Sequence, residues 1–293
     1  MVVSKKLLVK IGVFLVFILV ANGGCISSVV AYDFSCDNEV EYWGVVVTAL
    51  PESLGPYVYD GLISSEIWHQ DNLCVLYKQN ATREKIIDGL NWLATIADEN
   101  DIVLFSFDGH GSCIGGVYGI WAWDDSAISV EELNGFLDEI SYGEMVLIFD
   151  CCFAGTFCQE SFLGELDEVA IVGDFSVALS SSLTGENREV LMSTMPFGLG
   201  SHWIGRNWLT GEKVDLCFSS LLAEGLDKRV DYNNDGACAA EEVFRYARVR
   251  LLPRAVFTAF RVIMQVGCYL AYKHWYLPFP TMYDGFSGDI IVC

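Results

Sequence analysis

Four short apolar runs, set apart by segments of helical period, constrain this chain more than any other feature. Tyr42–Ala49 (YWGVVVTA) is β-branched and closed by Pro51, and Leu73–Tyr77 (LCVLY), Ile102–Phe107 (IVLFSF) and Met145–Phe149 (MVLIF) follow it. Runs this short and this continuously apolar read as strands buried on both faces. Between the second and third, Ile86, Leu90, Leu93, Ala94 and Ala97 fall on one face of a helix. Between the third and fourth, Ser129-Val130-Glu131-Glu132 has the form of a capping box. It opens a helix that turns Leu133, Phe136, Leu137 and Ile140 inward. Strands alternating with helices need crossover connections, so the expected fold is α/β with a mostly parallel sheet in a single domain. Sites in such sheets form beyond the carboxyl ends of the strands.

Later segments are read more coarsely. Val177–Ser180 is expected to be a strand, Leu183–Glu212 a long polar and aromatic loop, Leu216–Leu226 a helix, with another starting near Ala240. Gly267–Tyr276 is apolar, but the stretch between Arg261 and Lys273 is too short to span a bilayer.

With 293 residues, 53% of them hydrophobic, the chain can bury a large core and is not a disordered polymer. Lys and Arg total 17 against 39 Asp and Glu, a net charge of -22. That field repels phosphate backbones, so nucleic acid is not an expected partner, whereas basic peptides and divalent cations are attracted. Residues 1–31 differ from the rest. Lys5, Lys6 and Lys10 precede the apolar run Ile11–Ala21, and small residues end at Val29-Val30-Ala31. This is the pattern of an export signal cleaved after Ala31, which leaves 32–293 as the folded domain. An uncleaved anchor is the alternative, and the only membrane contact expected. Export makes some disulfides expected among the 11 cysteines, and no CxxC pair suggests zinc or thioredoxin-like chemistry.

Two loops carry reactive side chains. Asp108-Gly109-His110-Gly111-Ser112 follows one buried strand, and Asp150-Cys151-Cys152-Phe153-Ala154-Gly155 follows the next. Taken singly, a histidine is commonly structural and a buried cysteine is commonly packing. On neighbouring parallel strands, an imidazole takes the thiol's proton and a thiolate nucleophile results. Glycines let backbone approach substrate, and the Gly111 and Cys152 N–H groups are the expected donors to an oxyanion.

The His-Gly and Asp-x-Cys-x-(small)-Gly pattern resembles the caspase-like clan of cysteine peptidases, which holds the caspases, metacaspases and legumains. The likeness extends to Tyr42–Val47, Asn91–Phe107, Asp231–Tyr246 and Pro280–Val292, as in exported archaeal members. It implies an αβα sandwich around a mainly parallel six-stranded sheet, with His110 as general base. It also implies Cys152, three residues before Gly155, as the nucleophile; by strand alternation Cys151 faces away from the cleft, as core filler or a disulfide partner. Phe153-Ala154 replaces the more usual polar-Ser pair, and Asp108 replaces a common Ser. An Asp two residues before the nucleophile is similar to the metacaspase arrangement, implying that Asp150, with Asp60, selects Arg or Lys before the scissile bond. Partners are then peptide or protein substrates. A silent binding module of the same fold and a peptide ligase using the same thioester are the alternatives.

Asp231-x-Asn233-x-Asp235-Gly236-Ala237-x-Ala239-x-x-Glu242 matches the spacing of an EF-hand calcium loop, with Ala237 offering its carbonyl. Calcium is therefore the one expected cofactor, structural or activating, and the chemistry itself requires none. Asn80-Ala81-Thr82 is a glycosylation sequon.

Overall fold

Strand alternation divides the apolar side chains of the sheet into two cores in the computed structural model, which describes residues 39–114, 117–154, 157, 183–194, 203–206, 213–252 and 280–293. Six strands form the central sheet: β1 (Tyr42–Thr48), β2 (Leu73–Tyr77), β3 (Ile102–Asp108), β7 (Glu144–Asp150), β8 (Arg188–Met192) and β11 (Thr281–Asp284). Their order is β11-β8-β7-β3-β1-β2, and only β11 runs antiparallel to its neighbour. The implied mainly parallel, six-stranded sheet is present.

Val45, Val47, Phe105, Phe107, Leu147 and Phe149 point to one face, where helices α2 (Arg83–Ile96) and α3 (Val130–Leu137) cover them. Val46, Leu104, Val146, Ile148 and Leu191 point to the other, against α1 (Tyr57–Ile63), α4 (Phe218–Asp227) and α5 (helical through 240–252). This is the αβα layering expected from apolar strands buried on both faces. Thr82 caps α2 and Ser129 caps α3, each accepting an N–H three residues on. Glu132 completes no reciprocal bond at the second cap; its carboxylate pairs with Arg83 instead.

The C-terminal segment is fastened to the second core. Trp68 Nε1 donates to the Val292 carbonyl (2.9 Å), and Cys238 and Cys293 form a disulfide that closes 55 residues. Cys74 and Cys151 are free thiols.

Two expectations are corrected. The segment after β3 is not a loop throughout: β4 (His110–Ile114), β5 (Val117–Trp121) and β6 (Ala127–Ser129) make a small antiparallel sheet. Leu183–Glu212 is not one long loop either. It contains β8 and β9 (Trp203–Arg206), which pairs with β10 (Lys213–Leu216). Both stretches mix polar, glycine and apolar residues, and pairing partners rather than local period turn them into strands. The segment 1–31, Val177–Ser180, Gly267–Tyr276 and Gly155 lie outside the described residues. Among the described residues, no helix is long and apolar enough to cross a membrane.

Candidate active site

Parallel pairing of β3 with β7 puts Asp108 beside Asp150, so His110 and Cys152 each stand two residues beyond one shared register line. Two backbone bonds fix these ends. Ala49 N donates to Asp108 O (2.8 Å), and Gly109 N donates to Asp150 O (3.1 Å). His110 is exposed and opens β4 opposite Trp121. Cys152 is half-buried in the turn that leaves β7. The next residue, Phe153, has φ +64° and sets its ring against Tyr118, centroids 6.1 Å apart.

The two segments touch at Gly111. A Cβ on that residue would lie 1.8 Å from the Cys152 carbonyl oxygen and 3.1 Å from the Cys152 nitrogen. Only glycine permits the approach, since no side chain can share that space with a peptide group. The structure thus brings His110, Gly111 and Cys152 together on abutting backbone.

The adjacent thiol is placed differently. Cys151 is buried in the core beside Phe149, as strand alternation anticipates. Burial pushes its thiol well up, and Cys152, Asp150 and Asp108 push it further. A thiol held protonated is a poor nucleophile.

Asp150 is buried (5% exposed), and its Oδ2 accepts the Ser219 N–H at 2.8 Å in the first turn of α4. The sequence gives no hint of this bond, because its ends lie 69 residues apart. Asp60 sits on α1 and is exposed, and its partial burial raises its carboxyl. The next residue, Gly61, packs against Ala223 of α4. Both acids therefore belong to elements that meet α4, one buried at its start and the other at the surface.

In the 231–242 loop, Gly236 adopts φ +91°, the left-handed turn that its position demands. Asp231 accepts N–H groups from Asn234, Asp235 and Gly236, and Asp235 accepts from Ala237. Glu242 reaches back to the N–H groups of Tyr232, Asn233 and Ala239. The loop's carboxylates are thus turned onto its own backbone.

A different acidic group converges. Glu189 of β8, Glu241 of α5 and Asp284 of β11 each place an oxygen within 4.8 Å of the others. Burial, with Glu241 adding to it, pushes the Glu189 carboxyl up to about 9. Sequence reasoning passed over Glu189; the available signal was an acid inside a short strand with an otherwise apolar end, REVLM.

No protein-family model matches the chain, and no curated protein sequence matches it. Among solved structures, protein GSU0716 from Geobacter sulfurreducens is similar at 14% identity and a TM-score of 0.45, covering 72% of this chain and 89% of its own. Caspase-1 from Spodoptera frugiperda is similar at 14% identity and a TM-score of 0.41, covering 86% of this chain and 90% of its own.

Proposed function

We propose that the chain is a cysteine endopeptidase in which Cys152 attacks the scissile carbonyl and His110 takes its proton. The observation that carries this reading is the contact of Gly111 with the Cys152 peptide. It sets a histidine-bearing and a cysteine-bearing segment against each other at the carboxyl ends of adjacent parallel strands. Attack forms a tetrahedral intermediate, and its oxyanion is received by backbone N–H groups of Gly111 and Cys152. Collapse to a thioester expels the amine, which takes the proton from His110; water then releases the acid. The buried, protonated thiol of Cys151 favours Cys152 as the reacting sulfur. The test is incubation with a peptidyl electrophile and mass spectrometry of the labelled peptide. Label at Cys152 that disappears in Cys152→Ala is the expected result. Absence of label under every condition supports a silent binding module instead.

Asp150, with Asp60, is proposed to select Arg or Lys before the scissile bond. One Asp150 oxygen is committed to Ser219, and a carboxylate buried to this degree gains from a substrate guanidinium or ammonium. Asp150→Asn retains a carbonyl oxygen for the Ser219 N–H while removing the charge. Cleavage after Arg or Lys should fall about tenfold to a hundredfold, the range of a charge-assisted hydrogen bond. Alkylation of Cys152 by a small reagent should persist. A peptide library cleaved after Asp or Asn, or without preference, removes this specificity.

Calcium at the 231–242 loop is a separate, structural part of the proposal. It requires Asp231 and Asp235 to exchange backbone N–H groups for the ion, with Glu242 as bidentate ligand. Glu242→Gln should therefore weaken calcium binding at this loop more than any change at Asn233. Equal affinity in Glu242→Gln and wild type refutes the assignment.

A further inference from the structure

Glu189 is fully buried (0% exposed), and neither of its carboxylate oxygens meets a hydrogen-bond donor. A carboxylate in such a place is costly unless a cation or a proton compensates it. Among the described residues, the charged groups acting on it supply no positive charge. Asp284 stands directly opposite on β11, a cross-strand position where like charges repel. Glu241 approaches from α5 with one oxygen that is itself buried and without a donor. The charged groups acting most strongly on Glu189 are Glu241, Asp284 and Glu144, and Asp289 acts on Glu241. All are acids. The adjacent Arg188 belongs to the other face of β8, where it bonds Asn134, Asp138 and the Leu183 carbonyl.

We propose that Glu189, Glu241 and Asp284 bind a calcium ion that ties together β8, β11 and α5. Three carboxylates form a hard, all-oxygen donor set, which suits calcium or magnesium rather than zinc or copper. Their oxygens all lie within 4.8 Å of one another, close enough for one cation to bridge them. Calcium holds six to eight oxygens at about 2.3–2.6 Å in flexible geometry, whereas magnesium demands a near-ideal octahedron at about 2.0–2.1 Å, which side chains from three separate elements meet less readily. Asp284 is exposed, so water can reach the open side and complete the six to eight oxygens that calcium takes. The ion is structural: it offsets the negative charge that Glu189 and Glu241 bury together. Its ligands differ from those proposed for the 231–242 loop, although Glu241 lies within that stretch beside Glu242, and it does not depend on peptidase activity.

The test uses the full chain, stripped with chelator and then melted with and without calcium chloride, magnesium chloride serving as comparison. At a hundredfold excess over Kd, calcium should raise the wild-type melting temperature by about 5–10 °C. Asp231→Asn, which damages only the loop, should retain most of that shift. Glu189→Gln and Asp284→Asn should lose most of it, keeping only the smaller part that Asp231→Asn removes, with calcium affinity at this site falling at least tenfold. In chelator, Glu189→Gln should melt no lower than wild type, because it removes buried repulsion. If Glu189→Gln does not fold, the exposed Asp284→Asn decides alone. The proposal is overturned by a wild type indifferent to calcium. It is equally overturned by full calcium response in Asp284→Asn, or by a response lost in Asp231→Asn and kept in Glu189→Gln.

Discussion

Cys152→Ala and His110→Ala should each reduce peptide hydrolysis by on the order of 10⁴- to 10⁶-fold, and the double variant should be no worse than either single. Nucleophile and base act as one unit, so removing the second after the first has nothing left to remove. Stability should barely change, because His110 is exposed and Cys152 is half-buried outside the two cores. The informative control is Cys151→Ala. That side chain packs among buried residues of the core, so its loss should lower stability by about 1 kcal/mol while turnover per folded molecule stays intact. Turnover measured beside a melting curve for all four variants separates the cases. If Cys151→Ala is as inactive as Cys152→Ala and melts like wild type, Cys152 is not the nucleophile.

Gly111→Ala should cost nearly as much activity, through geometry rather than chemistry. The added methyl would start 1.8 Å from the Cys152 carbonyl oxygen, and that oxygen belongs to backbone, not to a flexible side chain. Either β4 or the Cys152 turn must then move by more than an ångström. A shift of that size separates base from nucleophile and misaims the proposed oxyanion donors, a loss of about 10²- to 10³-fold for the donors alone. Overpacking adds a destabilisation of about 1–3 kcal/mol. Gly135→Ala is the matched control: it lies in α3, a Cβ there meets nothing within 4 Å, and alanine favours the helix by about 0.5–1 kcal/mol. Wild-type turnover in Gly111→Ala would show that the two segments do not meet as described, and the catalytic reading would lose its main support.

The residues by themselves determined the strands and helices that have a strong period. The apolar runs of β1, β2, β3 and β7 and the helical spacing of α2 and α3 record burial directly, because alternation and 3.6-residue repeats are local. They also placed His110 and Cys152 just past two consecutive buried strands, so the loops were legible before their contact was. Pairing was not legible. The β4–β5 hairpin and β8 lack a strong period, and they become strands because neighbouring backbone supplies hydrogen-bond partners. Only the tertiary structure joined Asp150 to Ser219, and only it set Gly111 against the Cys152 peptide. It also drew Glu189, Glu241 and Asp284 from three separate elements into one acidic group, while the spaced acids of 231–242 turned onto their own backbone. Spacing along a chain reports which residues share a turn. Which carboxylates share a buried volume depends on sheet order and register, and these are fixed by contacts between segments far apart in sequence.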